Sequence, residues 1–181
     1  FTVSVLDWEA NKRRSDLWLS NLDGTGLKKL TQHDAADTSA VFAREGRAIY
    51  FLSTRSGSAQ VWKISLEGGE PQPVTSLPLD VGGFLLSPDG TKMALSMEVF
   101  PGTTVAQTKK RLDDEAAKKT SGKIYDTLFF RHWDAWADGR RSHIFVMPIA
   151  GGEPIDVMNA MDADAPSKPF GGTDGYTFRL G

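Results

Sequence analysis

The chain contains no cysteine, which excludes a disulfide scaffold, a thiolate metal centre and a cysteine nucleophile. It lacks an excess of either charge: 21 Lys and Arg stand against 23 Asp and Glu, a formal net charge of −2. That balance gives neither the basic surface of a nucleic-acid binder nor the polybasic patch of a membrane anchor, so neither partner is expected. No apolar run approaches the ~20 residues needed to cross a bilayer. Phe1 is followed by no charged n-region, so no signal peptide is expected within these residues. Catalytic signatures are equally scarce: there is no G-x-S-x-G elbow, no Walker-type phosphate loop and no H-E-x-x-H. No cofactor and no metal is expected. What the chain has in quantity is turn formers, 18 Gly and 9 Pro among 181 residues, which fits a turn-rich β protein of about one domain.

Those turns recur. Val41-Phe-Ala-Arg-Glu-Gly46-Arg-Ala-Ile-Tyr-Phe51 lies over Leu85-Leu-Ser-Pro-Asp-Gly90-Thr-Lys-Met-Ala-Leu95, an offset of about 44 residues. The same offset carries Leu17-Trp18 onto Val61-Trp62 and Lys29-Leu30-Thr31 onto Pro73-Val74-Thr75. A third copy follows, with Gly68-Gly69-Glu70-Pro71 matching Gly151-Gly152-Glu153-Pro154 and Val61-Trp62 matching Ile144-Phe145. Its offset is about 83, the repeat lengthened by an insertion of ~39 residues.

Each unit reads as four short strands. In the middle unit these are Ser39–Ala43, Ala48–Ser53, Gln60–Leu66 and Gln72–Thr75, separated by turns at Arg44-Glu45-Gly46, Arg55-Ser56-Gly57-Ser58 and Glu67-Gly68-Gly69-Glu70. A period near 44 with four strands per unit predicts an all-β fold, a β-propeller of four-stranded antiparallel blades. The predicted propeller is incomplete: residues 1–33 form a partial blade, 34–78 a blade, 79–162 a blade with an insertion at 99–140, and 163–181 the start of the next. Phe1–Trp8 is the expected second strand of the first blade, and Gly175–Leu180 the expected opening strand of the last. Such a chain leaves blade edges open and reads as a segment of a longer protein.

The insertion is the idiosyncratic part, and its place between the second and third strands puts it on the same face as the blade-to-blade connections. Its first half, Val105–Thr120, is charge-laced, with few apolar residues on any face; a solvated helix or mobile loop is expected, with Asp114–Lys118 and Glu115–Lys119 as supporting pairs, and a partner-binding segment is the alternative. Its second half is aromatic. Arg131, His132, Trp133, Asp134 and Trp136 combine rigid rings with charges, as a ligand-facing wall does; packing of the rings onto the propeller, with Arg131 and Asp134 paired, is the alternative. Glu98, at the end of an apolar strand, is a candidate carboxylate for a substrate amine, with a merely solvated strand end as the alternative. Glu98 has no counterpart at Thr54, which argues against a carbohydrate-active propeller with carboxylates repeated from blade to blade. Ser142-His143 are neighbours in sequence, but a triad is a spatial arrangement, and His143 opens an apolar strand as a structural residue would. Asp156, Asp162 and Asp164 lack the glycine and terminal Glu of a calcium loop and read as a solvated connection.

The run from Lys123 to Ile149, with Tyr125-Asp126, Arg131-His132-Trp133-Asp134, Trp136, Asp138-Gly139 and Ser142-His143-Ile144-Phe145-Val146, resembles the propeller domain of the prolyl oligopeptidase family of serine peptidases. The acylaminoacyl-peptidase and dipeptidyl peptidase V branch is the most similar. Asp164-Ala165-Pro166 and Pro169-Phe170-Gly171-Gly172 also look like that branch. The resemblance implies a propeller capping a C-terminal α/β-hydrolase domain of the same parent chain. That domain would hold the Ser, Asp and His, so this chain alone is expected to be catalytically inactive. The propeller is implied to admit a short peptide substrate and exclude folded proteins, with Glu98, Arg131, His132, Trp133, Asp134 and Trp136 as substrate-cavity candidates. The adjacent glutamate pair characteristic of the dipeptidyl peptidase IV branch is missing. A non-enzymatic TolB-like propeller, acting as a protein-interaction scaffold, is the alternative. A periplasmic or secreted location is expected, and a cytoplasmic one is compatible.

Overall fold

The computed structural model describes residues 1–120, 122, 131–132, 135–165 and 175–179, with 131, 132, 135 and 136 described through their backbone alone. Among the described residues, three antiparallel blade sheets follow one another along the chain, with a separate two-stranded ladder inside the insertion. The first holds β1 (Thr2–Asp7), β2 (Lys12–Leu19) and β3 (Lys28–Lys29) in that order. The second is four-stranded: β4 (Asp37–Phe42), β5 (Ala48–Ser53), β6 (Gln60–Ser65) and β7 (Gln72–Pro73). The third opens with β8 (Gly83–Leu86) and β9 (Lys92–Val99). After a helix α1 (Val105–Ala116) and a short ladder of β10 (Arg131–His132) with β11 (Ala135–Trp136), it resumes as β12 (Arg141–Pro148) and β13 (Ile155–Asp156). Its spatial order, β8-β9-β12-β13, is the up-and-down order of the second sheet, as an open propeller of four-stranded blades requires.

The outermost strands are shorter than the sequence indicates, and the repeat explains why. Thr31 and Thr75, one period apart, turn their hydroxyls inward to accept the N–H groups of Leu17 (3.0 Å) and Val61 (2.9 Å). A side-chain acceptor thus replaces the backbone ladder and ends it. The expected opening strand at Gly175–Leu180 does not form over 175–179, which have no ladder partner among the described residues; Leu180 lies outside them.

β5 is buried along its whole length because its two faces feed two different cores. Ala48, Tyr50 and Leu52 pack with Val61, Phe84, Met93, Leu95, Met97, Phe145 and Met147 between the second and third blades. Ile49 and Phe51 pack with Leu17 and Ile64 between the first and second. The period-2 alternation of one strand therefore glues three blades, and a strand buried on both faces reads as the continuous apolar run Ala-Ile-Tyr-Phe-Leu.

Ser87-Pro88-Asp89-Gly90 turns β8 into β9, with Gly90 at φ 72, where a side chain would be strained. One Asp89 carboxylate oxygen accepts from the Ser87 hydroxyl (2.6 Å), the Thr91 N–H (3.0 Å) and the Thr91 hydroxyl (2.8 Å). These bonds, the Ser87 hydroxyl first, lower its pKa from 3.8 to about 2. A carboxyl whose folded pKa is depressed stabilises above its unfolded value, and that contribution disappears as pH falls through about 2. Asp89→Asn is therefore expected to lower the melting temperature at neutral pH and to flatten its decline below about pH 4. Thermal melts of both proteins across that range check it; parallel acid limbs would exclude the role.

Candidate functional site

The ladder between β9 and β12 ends at Val99 opposite Arg141, and everything between them leaves from the end of the blade that also carries the blade-to-blade connections. The insertion starts with a firmly built helix. The Thr104 hydroxyl accepts from the Gln107 N–H (3.2 Å), and the Gln107 side chain accepts from the Thr104 N–H (2.8 Å), a reciprocal cap. The helix is not solvated on every side, as its composition suggests. Val105 and Leu112 pack on the core between the second and third blades, and Thr108 between them is wholly buried. The Thr108 hydroxyl accepts from the Phe100 N–H (3.3 Å) and meets the Thr103 hydroxyl (2.7 Å). Arg111 lies 3.7 Å over the Phe100 ring. On the outer face the ion pairs are Lys109–Asp113, Lys110–Asp114 and Glu115–Lys118. The expected Asp114–Lys118 and Glu115–Lys119 pairs do not form, because the helix stops at Ala116 and the lysines lie beyond its (i, i+4) geometry.

Glu98 stands at the neck of the insertion, opposite Ser142 across the ladder. It pairs with Arg140 (3.3 Å), whose Nε donates to Asp138 (2.8 Å). One guanidinium thus joins the strand on which the chain leaves the blade to the turn on which it returns. β10 and β11 place Arg131 opposite Trp136 and His132 opposite Ala135. The side chains of Arg131, His132 and Trp136, and all of Trp133 and Asp134, lie outside the described residues.

A set of repeated polar latches, not marked by any sequence motif, fastens the blades. Gln60 and His143, about 83 residues apart, occupy the same place on the third strands of their blades, and both are fully buried. Gln60 Nε2 donates to the carbonyls of Leu77 and Leu79 (both 3.1 Å), while its Oε1 accepts from the Thr75 hydroxyl (2.8 Å) and the Leu77 N–H (2.9 Å). His143 holds Asp156 through Nδ1 (2.8 Å) and the Met161 carbonyl through Nε2 (2.9 Å). One residue earlier in each blade, Ala59 N–H donates to Asp80 (2.8 Å) and Ser142 N–H to Asp164 (2.7 Å). Asp162 pairs with Arg141 (2.7 Å). The aspartates weighed as calcium ligands are thus fasteners of the connection to the next blade, and His143 is structural. The shared offset was visible in sequence; nothing local marked a glutamine and a histidine as equivalent.

Further along the chain, the Tyr176 hydroxyl bonds Ser96 on β9, and burial keeps its phenol above the usual range. Bare glycines at 82 and 83 make room there: a Cβ at either would come within 3.2 or 3.3 Å of Ser96 Oγ. A polar cleft of about 280 Å³ opens elsewhere, between the first and second blades, lined by Lys29, His33, Arg55 and Glu70. Its Lys29 and Arg55 are already paired, with Asp16 (2.8 Å) and Asp37 (2.7 Å). Among the described residues no group of three or more His, Asp or Glu is disposed to hold a metal ion.

Successive open antiparallel blades, fastened by the same latch and bearing one long insertion on the connection face, define a β-propeller segment. The TolB beta propeller domain family matches residues 5–126, and the chain belongs to that family. Dipeptidyl-peptidase 5 of Porphyromonas endodontalis is 28% identical over 173 residues, covering 93% of this chain and 24% of the relative. The chain thus spans about a quarter of that relative's length, and the relative is of the branch that the Lys123–Ile149 motifs resemble. Among solved structures, the acylaminoacyl peptidase of Pyrococcus horikoshii superposes with a TM-score of 0.58 at 16% identity, over 85% of this chain and 22% of that one. A putative TolB from Agrobacterium tumefaciens superposes with a TM-score of 0.53 at 17% identity, over 86% of this chain and 44% of that one. At such identities the two structures speak for the fold.

Proposed function

We propose that this chain is the substrate-gating propeller segment of a serine exopeptidase. In that reading a C-terminal α/β-hydrolase domain of the same protein carries the Ser-Asp-His triad and releases dipeptides or acylated amino acids from short peptides. The observation that carries the reading is the insertion: a capped helix docked on the core, then a segment bearing Arg131 to Trp136, on the connection face and in a chain similar to a dipeptidyl-peptidase 5. A wall built this way acts by exclusion, since a rim of rigid loops admits an extended peptide and stops a folded protein. Arg131, His132, Trp133, Asp134 and Trp136 would line that space. Glu98 would stand at its root, where a substrate amine competes with Arg140 for its charge.

The test is peptidase activity of the full-length protein on short chromogenic peptides that differ at the N-terminus, with Arg131→Ala and Trp133→Ala alongside. Each variant is expected to lose about tenfold or more in kcat/KM while keeping the wild-type melting temperature, the order of one desolvated substrate contact. A full-length protein that lacks a hydrolase domain and cleaves nothing would overturn the reading in favour of a TolB-like interaction scaffold.

A further inference from the structure

The latch of the third blade differs from that of the second in one respect: it is built on an ionisable ring. The Gln60 amide offers both an oxygen and an NH2 group, so it serves donors and acceptors alike. It donates to two carbonyls and accepts from the Thr75 hydroxyl and the Leu77 N–H, a set that is complete at any pH. The place of Thr75 in the third blade, about 83 residues on, belongs to Met158, so the hydroxyl is gone.

His143 meets acceptors only. Its Nδ1 lies 2.8 Å from Asp156 Oδ2 and its Nε2 lies 2.9 Å from the Met161 carbonyl oxygen. A carbonyl has no proton to give, so the second contact needs an N–H on Nε2. The first contact needs another proton, on the ring or on the carboxyl. A neutral imidazole beside an ionised carboxylate has one proton for two contacts and leaves a lone pair facing an oxygen. His143 is wholly buried, so bulk solvent does not make good the loss. The other Asp156 oxygen is already taken by the Met158 N–H (2.8 Å).

The remaining charges on the elements around the ring are engaged elsewhere. On β9, Glu98 pairs with Arg140, while His143 itself stands opposite Met97. In the segment leaving the blade, Asp162 pairs with Arg141 and Asp164 accepts the Ser142 N–H. On the second-blade side, Asp80 accepts the Ala59 N–H and Lys63 lies over the ring of Tyr50. From α1, Arg111 lies over Phe100, and Tyr176 bonds Ser96 on the other face of β9.

We propose that His143 and Asp156 form a proton-dependent latch, which fastens the segment leaving the third blade while the pair holds its additional proton and frees Met161 when that proton is lost. The Met161 contact is the one to go, because the remaining ring N–H is held more strongly by the carboxylate than by a carbonyl. Every group in the latch lies between residues 143 and 161, so it is built within one blade and its exit segment. Its stabilisation is fully present below about pH 6.5, the ordinary range of a free imidazole, and fades as pH rises and the pair gives up its proton.

Hydrogen exchange of the full-length protein, read by mass spectrometry at about pH 5.5 and about pH 8.5, tests the latch. Peptides covering residues 157–165 report on it, and those covering 74–81, held by Gln60, are the internal reference, since the chemical rate of exchange rises equally with pH in both. Protection of 157–165 relative to 74–81 is expected to fall about tenfold from the lower to the higher pH, the order of one hydrogen bond to a charged group. His143→Gln puts the second blade's non-ionising amide into the third blade and is expected to keep the ratio level. Asp156→Asn removes the charge that retains the proton and is expected to limit the fall to under about threefold, which keeps the test decisive if His143→Gln does not fold. A level ratio in the wild type, or a tenfold fall that persists in either variant, would overturn the latch.

Discussion

Asp37→Ala is expected to destabilise the propeller by about 3–5 kcal/mol, the cost of removing one partner from a buried ion pair. The Asp37 side chain is 0% exposed and that of Arg55 11%, and they meet at 2.7 Å. Arg55 is held besides by the Ser53 hydroxyl (2.9 Å), and its guanidinium stacks 5.4 Å from the centre of Phe51 and 5.0 Å from that of Trp62. Without the carboxylate, a cation stays in an aromatic sleeve with no counter-charge. Asp37→Ala/Arg55→Met is expected to recover most of the loss, because a flexible apolar side chain fills the sleeve without a charge to solvate. Urea denaturation of the two variants and wild type decides it. A double variant no more stable than the single one would show that the pair matters through packing and not through charge.

Phe51→Ala is expected to cost about 3–5 kcal/mol, as for other large-to-small changes at fully buried aromatic positions. Phe51 is 0% exposed and fills the core between the first and second blades with Leu17, Ile49 and Ile64. Leu17 comes from the first blade and Phe51 from the second, so a cavity at this position weakens the contact between two blades as well as the packing of one. Phe42→Ala is the matched control, since that ring is 55% exposed and its loss is expected to cost under about 1 kcal/mol. Equal midpoints for the two variants in denaturant titrations would contradict the assignment of this core.

The blade architecture was readable because its signal is redundant. Turn glycines, strand patterning and shared offsets all repeat, and each copy checks the others. β5 came out with the expected bounds, Ala48 to Ser53, because a run of β-branched and aromatic residues between two turns has few alternatives. The short outer strands did not, since whether Thr31 or Thr75 uses its hydroxyl or its backbone to complete a ladder depends on what lies beside it. The seat of α1 was also missed. Val105, Thr108 and Leu112 make a sparse stripe, and only the blade end beneath them shows that one methyl-bearing hydroxyl between two aliphatic residues suffices. The insertion's aromatic half stood out by composition, and its position between second and third strands followed from the repeat.

By itself, then, the sequence determined the repeating four-stranded blade, the place of the insertion and the likeness to peptidase propellers, because these are properties of order along the chain. The tertiary structure decided which polar side chains fasten one blade to the next, that Arg140 holds Glu98 at the neck of the insertion, and that both ring nitrogens of His143 face acceptors. Those are properties of distance. Gln60 and His143 have different chemistry and different neighbours in sequence, and they become the same latch only when two blades place their ring and amide groups within hydrogen-bond reach of the segment leaving the blade.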